Sequence, residues 1–119
     1  MKNQQFRRRI GFALAGLRSA IATERSLRTQ LAFAALLPLV LAALRPPIVW
    51  WALCLLAAGL VLATEMVNTA LERALDRLHP EQHEGIRVAK DCAAGAVLVA
   101  SVAAAGVGLL TVLVGLGML

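Results

Sequence analysis

Three long stretches of this chain carry no charged residue, and they constrain its fold more than any other feature. They cover residues 31–44, 48–64 and 92–119. A soluble protein of 119 residues has too small a core to bury all three. Charged residues make up 16% of the chain, against roughly a quarter in soluble domains. The sequence therefore predicts an integral membrane protein of the all-α class.

The stretches predict three transmembrane helices in a single domain of residues 1–119, at 30–44, 48–78 and 88–119. The first is short beside the ~20 residues needed to cross a bilayer, so we expect it to begin within the interface. A tight turn at 45–47, Arg-Pro-Pro, ends it, because proline lacks an N–H and disfavours helix in the preceding residue.

Residues 1–29 predict an N-terminal amphipathic helix on the membrane surface. Its arginines mostly take other faces than its apolar residues, and the apolar run is short for a signal-peptide core. We therefore expect a surface helix of the mature protein. The apolar residues recur every three or four positions: Phe6, Ile10, Leu14, Leu17 and Ile21.

Basic residues are concentrated on one side of the predicted spans. Eleven of the twelve lie in the N-terminal segment or near the loop between the second and third spans, and only Arg45 lies opposite. The positive-inside bias predicts that this loop and the N-terminal helix lie in the cytoplasm and that the C-terminus lies outside. Contact with anionic lipid explains the net charge of +5, so nucleic acid is not an expected partner.

Acidic residues are clustered as well, since six of the seven lie between residues 65 and 91. Carboxylates at a bilayer edge are costly and are usually kept for ions, protons or chemistry. With Lys90 and Asp91 nearby, the cluster predicts a site for a metal ion and phosphate. Four polar residues of the run share a helical arc of roughly 80°: Glu65, Asn68, Glu72 and Asp76.

The usual nucleotide-binding motifs are missing from the sequence. It has no GxxxxGK[ST] loop, no protein-kinase catalytic loop and no GxSxG elbow. The Gly-Val-Gly run at 106–108 lies in an apolar span, where helix packing explains it better than phosphate binding. Any phosphoryl transfer here must use another architecture.

Two segments resemble the prokaryotic diacylglycerol kinase family, which comprises small membrane lipid kinases. Residues 65–76 match ExxN[ST]AxExxxD, and residues 89–97 match AKDxxAGAV. Segments 16–20 and 23–25 are similar to the family's surface helix. The resemblance covers about residues 12–98, in the expected order. It implies transfer of the γ-phosphate of ATP to a lipid alcohol, with diacylglycerol as the expected substrate and Mg²⁺ as cofactor. It also implies a homotrimer with shared sites in a bacterial inner membrane.

The acidic residues can then be given roles. Glu65 lies deepest in the membrane, where it can meet a lipid hydroxyl, and the resemblance implies that it is the general base. Glu72 is a candidate Mg²⁺ ligand, because hard cations prefer oxygen. The resemblance implies that Glu24 is the second carboxylate that binds the metal. The alternative is that Glu24 is a solvated surface charge. Asn68 supports the base or the phosphate, or else joins two helices.

Lys90 is expected to neutralise phosphate, and Asp91 to hold Lys90 or a metal-bound water. The alternative is a charge pair that ends the third span. Asp76 either supports the site or pairs with Arg73 or Arg77.

The resemblance adds residues outside this cluster. Phe12 corresponds to a position near the adenine, and Arg18 is assigned to the lipid substrate, as is Glu65. Two positions depart from the family pattern: Gln5 replaces its N-terminal arginine, and Gln30 stands where some members have an acid. From composition alone, His83 is a solvated loop residue. In full, the expected nucleotide-binding residues are Phe12, Glu24, Glu72, Glu81, Gln82, His83, Lys90 and Asp91.

Three other functions are alternatives to diacylglycerol phosphorylation. Undecaprenol kinases belong to the same family, and the stretch 23–28 is similar to theirs. A small proton-coupled transporter usually has four spans and a carboxylate in mid-membrane, whereas this chain has three spans and acids at one edge. A non-catalytic holin-like subunit has no need for an acidic face beside a Lys-Asp pair.

Overall fold

The chain forms four α-helices in a computed structural model that describes residues 2–119. They are α1 (Lys2–Thr23), α2 (Arg25–Leu44), α3 (Ile48–Leu78) and α4 (Glu84–Gly115). Helices α2, α3 and α4 are long and apolar enough to cross a membrane. The predicted all-α membrane protein, with an N-terminal helix before three spans, is confirmed.

The break between the first two helices falls at Glu24, earlier than the boundary expected at 29–30. The backbone of Glu24 is extended, with φ −107° and ψ 110°. The Arg28 guanidinium donates hydrogen bonds to the carbonyl oxygens of Ile21 and Ala22, at 2.8 and 3.1 Å. These carbonyls end α1 and have no partner within it, so Arg28 fixes the break. As a result α2 has 20 residues, enough to cross a bilayer.

The turn between α2 and α3 lies where the prolines predicted it. Arg45 adopts the left-handed conformation, with φ 53° and ψ 49°, and its N–H donates to the Leu41 carbonyl at 2.8 Å. Pro47 then precedes the first turn of α3, where a missing N–H costs nothing. The second span therefore begins at Ile48, as expected.

Helices α3 and α4 form a hairpin that is packed from end to end. Near the connecting loop, Lys90 of α4 donates a hydrogen bond to Asp76 of α3. Toward the other end, the sulfur of Cys54 lies 3.3 Å from the Thr111 hydroxyl. Helix α4 begins at Glu84, earlier than the expected residue 88, because the His83 side chain caps it by accepting a hydrogen bond from the Gly85 N–H at 3.0 Å.

Helix α2 packs against α3 and meets α4 at the end of the bundle farther from the α3–α4 loop. There Gly115 approaches Leu44 so closely that an added Cβ would lie 2.8 Å from the Leu44 Cβ. Between the three helices lies an apolar cavity of about 690 Å³, with Gln30 on its wall. Most large apolar side chains on α2 to α4 point outward, as they do in a protein whose surroundings are lipid.

Candidate active site

The polar face of α3 lies where the α1–α2 junction and the start of α4 come together. Three of its residues each contact a different part of the chain. Glu65 contacts α2, Arg73 contacts the α1–α2 junction, and Asp76 contacts α4. The structure therefore gathers the predicted acidic residues at one end of the bundle.

Glu65 is buried, with 6% of its surface exposed, and both its carboxylate oxygens are hydrogen-bonded. The Ser26 hydroxyl donates to Oε1 at 2.5 Å, and the Gln30 amide nitrogen donates to Oε2 at 3.3 Å. Both donors are uncharged. A buried carboxylate needs such partners, because removing it from water without hydrogen bonds is costly.

Sequence reasoning missed Ser26 and treated Gln30 only as a departure from a family pattern. The available signal was their spacing, since residues four apart lie on one face of a helix. That the face turns toward Glu65 is set by the packing of α2 on α3.

Two amide oxygens near Glu65 are buried without a partner among residues 2–119: Gln30 Oε1 and Asn68 Oδ1. Buried polar atoms in folded proteins are nearly always hydrogen-bonded. Asn68 lies about one helical turn from Glu65 and one from Glu72. Its free oxygen is thus available to a cation or to a hydrogen-bond donor.

Glu24 is not a free solvated charge, which was the alternative to its metal-binding role. Arg73 donates a hydrogen bond to Glu24 Oε1 at 3.3 Å and also contacts the hydroxyls of Thr23 and Ser19. Arg73 is the next residue after Glu72, so the contact joins Glu24 to the turn of α3 that carries Glu72. The alternative pairing of Arg73 with Asp76 is therefore wrong.

The pairs around Lys90 also differ from those expected. Lys90 pairs with Asp76, whereas Asp91 pairs with Arg87 at 2.9 Å. The expected pairing of Asp91 with Lys90 is wrong because adjacent helical residues point in different directions, and residues four apart are neighbours. The same geometry excludes the pairing of Asp76 with Arg77. Lys90 nevertheless remains next to the acidic face, held across the hairpin.

The loop between α3 and α4 encloses a cavity of about 520 Å³, with Asp76 and Lys90 on its wall. The cavity is also lined by the three exposed loop residues that were assigned to nucleotide: Glu81, Gln82 and His83. His83 is more than a solvated residue, because its Nδ1 caps α4.

The remaining predicted residues lie on α1 and stay outside this arrangement. Phe12 is 73% exposed, and Arg18 is exposed as well. Gln5, the other departure from the family pattern, is exposed near the start of the same helix. Arg18 makes no ion pair with the acidic face within residues 2–119.

The oxygen ligands on this face suit Mg²⁺, a hard cation that binds carboxylates and carbonyl-type oxygens and keeps several waters. Glu72 has no ion pair within the described part of the chain, and Asn68 Oδ1 has no partner there. No group of three His, Cys, Asp or Glu side chains in residues 2–119 is arranged to hold a metal. Glu24, Glu72 and Asn68 thus carry oxygen atoms of the type that Mg²⁺ prefers, without forming a closed metal site in the described chain.

Known proteins are similar in sequence to most of this chain. The family model for prokaryotic diacylglycerol kinase matches residues 11–112. A diacylglycerol kinase from Synechocystis sp. is 38% identical over 98 residues, which cover 82% of this chain and 56% of that protein. An undecaprenol kinase from Bacillus subtilis is 38% identical over 63 residues, 53% of this chain and 51% of its own length. The matches thus span about half the length of these curated relatives.

Proposed function

Because this chain belongs to the prokaryotic diacylglycerol kinase family, we propose that it is a lipid kinase that transfers the γ-phosphate of ATP to a lipid alcohol in the membrane. Diacylglycerol is the proposed substrate, with phosphatidic acid as product. Undecaprenol is the second candidate, favoured by the similarity to the Bacillus subtilis relative. The observation that carries the proposal is the buried, hydrogen-bonded Glu65 on the same helical face as Glu72.

In the proposed reaction Glu65 is the general base. A carboxylate has about four lone-pair positions, and Ser26 and Gln30 occupy two of them. A free lone pair accepts the proton of the lipid hydroxyl as its oxygen attacks the γ-phosphorus. The new P–O bond forms as the bond to the bridging oxygen breaks, and ADP leaves.

Glu24, Glu72 and Asn68 would hold Mg²⁺. When bound, the ion offsets negative charge on the phosphate oxygens. Arg73 pairs with one oxygen of Glu24, Oε1, which leaves Oε2 available for metal binding.

The remaining parts of the nucleotide are proposed to bind at the other end of the polar face, next to the α3–α4 loop. Lys90 is a flexible cation beside the loop cavity, and it can turn from Asp76 to a phosphate oxygen. Glu81, Gln82 and His83 are proposed to contact the nucleotide from the loop, with Asp91 close by. Phe12 and Arg18 are proposed to contact adenine and lipid, respectively. Both side chains are exposed on α1, where a lipid or a neighbouring chain of a homotrimer can contact them.

We also propose that this end of the bundle faces the cytoplasm of a bacterial cell, across the inner membrane. Eleven of the twelve basic residues lie in the N-terminal segment or on the parts of α3 and α4 next to their connecting loop. The contact of Arg73 with Glu24 joins these two regions at one end of the bundle. Cytoplasmic ATP would then reach the site directly.

The test is phosphate transfer by the purified protein in mixed micelles with Mg²⁺ and ATP labelled at the γ-phosphate. Diacylglycerol and undecaprenol are assayed side by side, and label is counted in extracted lipid. We expect turnover with at least one lipid and its loss in Glu65→Gln. Thr64→Ala is the matched control, because the Thr64 hydroxyl bonds only to carbonyls of its own helix. If neither diacylglycerol nor undecaprenol became labelled, the proposed kinase function would be excluded.

A further inference from the structure

The two hydrogen bonds to Glu65 come from a different helix, and both come from uncharged side chains. Ser26 and Gln30 are four residues apart on α2, whereas Glu65 is on α3. Each donor takes a different carboxylate oxygen. With one bond to each oxygen, the plane of the carboxylate is fixed relative to α2.

The absence of charge in these donors matters for a base. An arginine or lysine at either position would bind Glu65 as an ion pair and compete with the proton that the base has to accept. A second carboxylate at position 30 would repel it. Serine and glutamine hold the group in place while leaving a lone pair on each oxygen available.

We propose that Ser26 and Gln30 are positioning residues that orient the Glu65 carboxylate toward the lipid hydroxyl. This inference rests on the proposed function, in which Glu65 is the base. Gln30 also lies on the wall of the apolar cavity, with its own amide oxygen unpartnered. Gln30 therefore contacts both the Glu65 carboxylate and the cavity between the three spans.

The expected effect is on the catalytic step rather than on nucleotide binding. Misplacement of a catalytic group by about 1 Å can cost ~100-fold in rate. We expect Ser26→Ala and Gln30→Leu each to lower kcat ~10- to 100-fold, with the KM for Mg-ATP within about twofold of the unmodified value. Leucine retains most of the volume of glutamine and faces an apolar cavity, so the helix packing should survive.

Two further variants separate positioning from general damage. Ser26→Thr keeps the hydroxyl and should recover most of the rate. Thr29→Val removes a hydroxyl from the same turn of α2, but that hydroxyl bonds only to the Arg25 carbonyl of its own helix, at 3.2 Å. It should leave kcat unchanged. Thermal unfolding in micelles is measured for every variant.

A double variant tests whether Ser26 acts through Glu65. Glu65→Asp shortens the base by one methylene and withdraws it from both donors. If Ser26 works only by orienting Glu65, adding Ser26→Ala to Glu65→Asp should change the residual rate by less than about twofold. A full additional loss would assign Ser26 a separate structural role and overturn the inference.

The outcomes also separate this inference from the proposed function. An active protein that is inactivated by Glu65→Gln but unaffected by Ser26→Ala and Gln30→Leu would overturn the positioning role alone. A protein inactive on both lipids would overturn the proposed function and the positioning role together. Loss of kcat with retained KM, rescue by threonine and a silent Thr29→Val would support both.

Discussion

Asp76 on α3 and Lys90 on α4 form an ion pair that joins the two helices on either side of their connecting loop. The pair is partly open to solvent, since the Lys90 side chain is 34% exposed and that of Asp76 is 64% exposed. It closes the hairpin next to the proposed nucleotide site and holds the one basic residue of α4 that reaches back to the acidic face of α3.

Asp76→Asn should therefore affect nucleotide binding more than stability. An exposed ion pair contributes at most about 1 kcal/mol, so the unfolding temperature should change little. With Lys90 no longer held beside the loop cavity, the KM for ATP should rise several-fold. Steady-state kinetics and thermal unfolding in the same micelles measure both. Glu84→Gln removes an ion pair that lies within α4 and serves as the control; an equal rise in KM there would contradict the prediction.

Arg73→Gln should loosen the junction between α1 and α2. Arg73 contacts Ser19, Thr23 and Glu24, and no other basic residue of α3 reaches this junction. We expect faster protease cleavage near residue 24 and half-maximal activity at a lower Mg²⁺ concentration, because Glu24 no longer has a competing cation. Arg77→Gln removes a charge from the same helix, where it makes no ion pair within residues 2–119. An identical result with Arg77→Gln would refute the specific role of Arg73.

Gly115→Ala should destabilise the protein by about 1–3 kcal/mol, the usual cost of overpacking a close contact. The new methyl would lie 2.8 Å from the Leu44 Cβ, an atom fixed to the backbone of α2, so the helices themselves have to move apart. Gly59→Ala is the control, because nothing lies within 4 Å of its added Cβ and alanine favours helix. Thermal unfolding measures both, and equal stability of the two variants would count against the α2–α4 contact.

The proposed orientation predicts which loops are accessible from each side of the membrane. On a Cys92→Ser background, Gln82→Cys should react with an impermeant maleimide only in inside-out vesicles. Arg45→Cys, in the turn at the opposite end of the bundle, should react only in intact spheroplasts. Cys54 is buried and provides little background. The reverse pattern would place the acidic face outside, away from cytoplasmic ATP, and would exclude the proposed kinase.

Much of the fold followed from local sequence. The three uncharged stretches predicted three spans, and the prolines at 46 and 47 predicted the turn between α2 and α3 because they lack an N–H. The break at Glu24 was not predicted. It depends on the Arg28 side chain folding back onto carbonyls of α1, a contact that hydropathy does not reveal.

The sequence by itself determined that Glu65, Asn68, Glu72 and Asp76 share one face, because the period of an α-helix is fixed by its backbone hydrogen bonds. Only the tertiary structure decided what that face meets: Ser26 and Gln30 at Glu65, Glu24 at Arg73, and Lys90 at Asp76. The physical reason is that spans apolar on nearly every side give little indication of which side turns inward. Their rotation is set by close packing and by polar contacts between residues far apart in the chain.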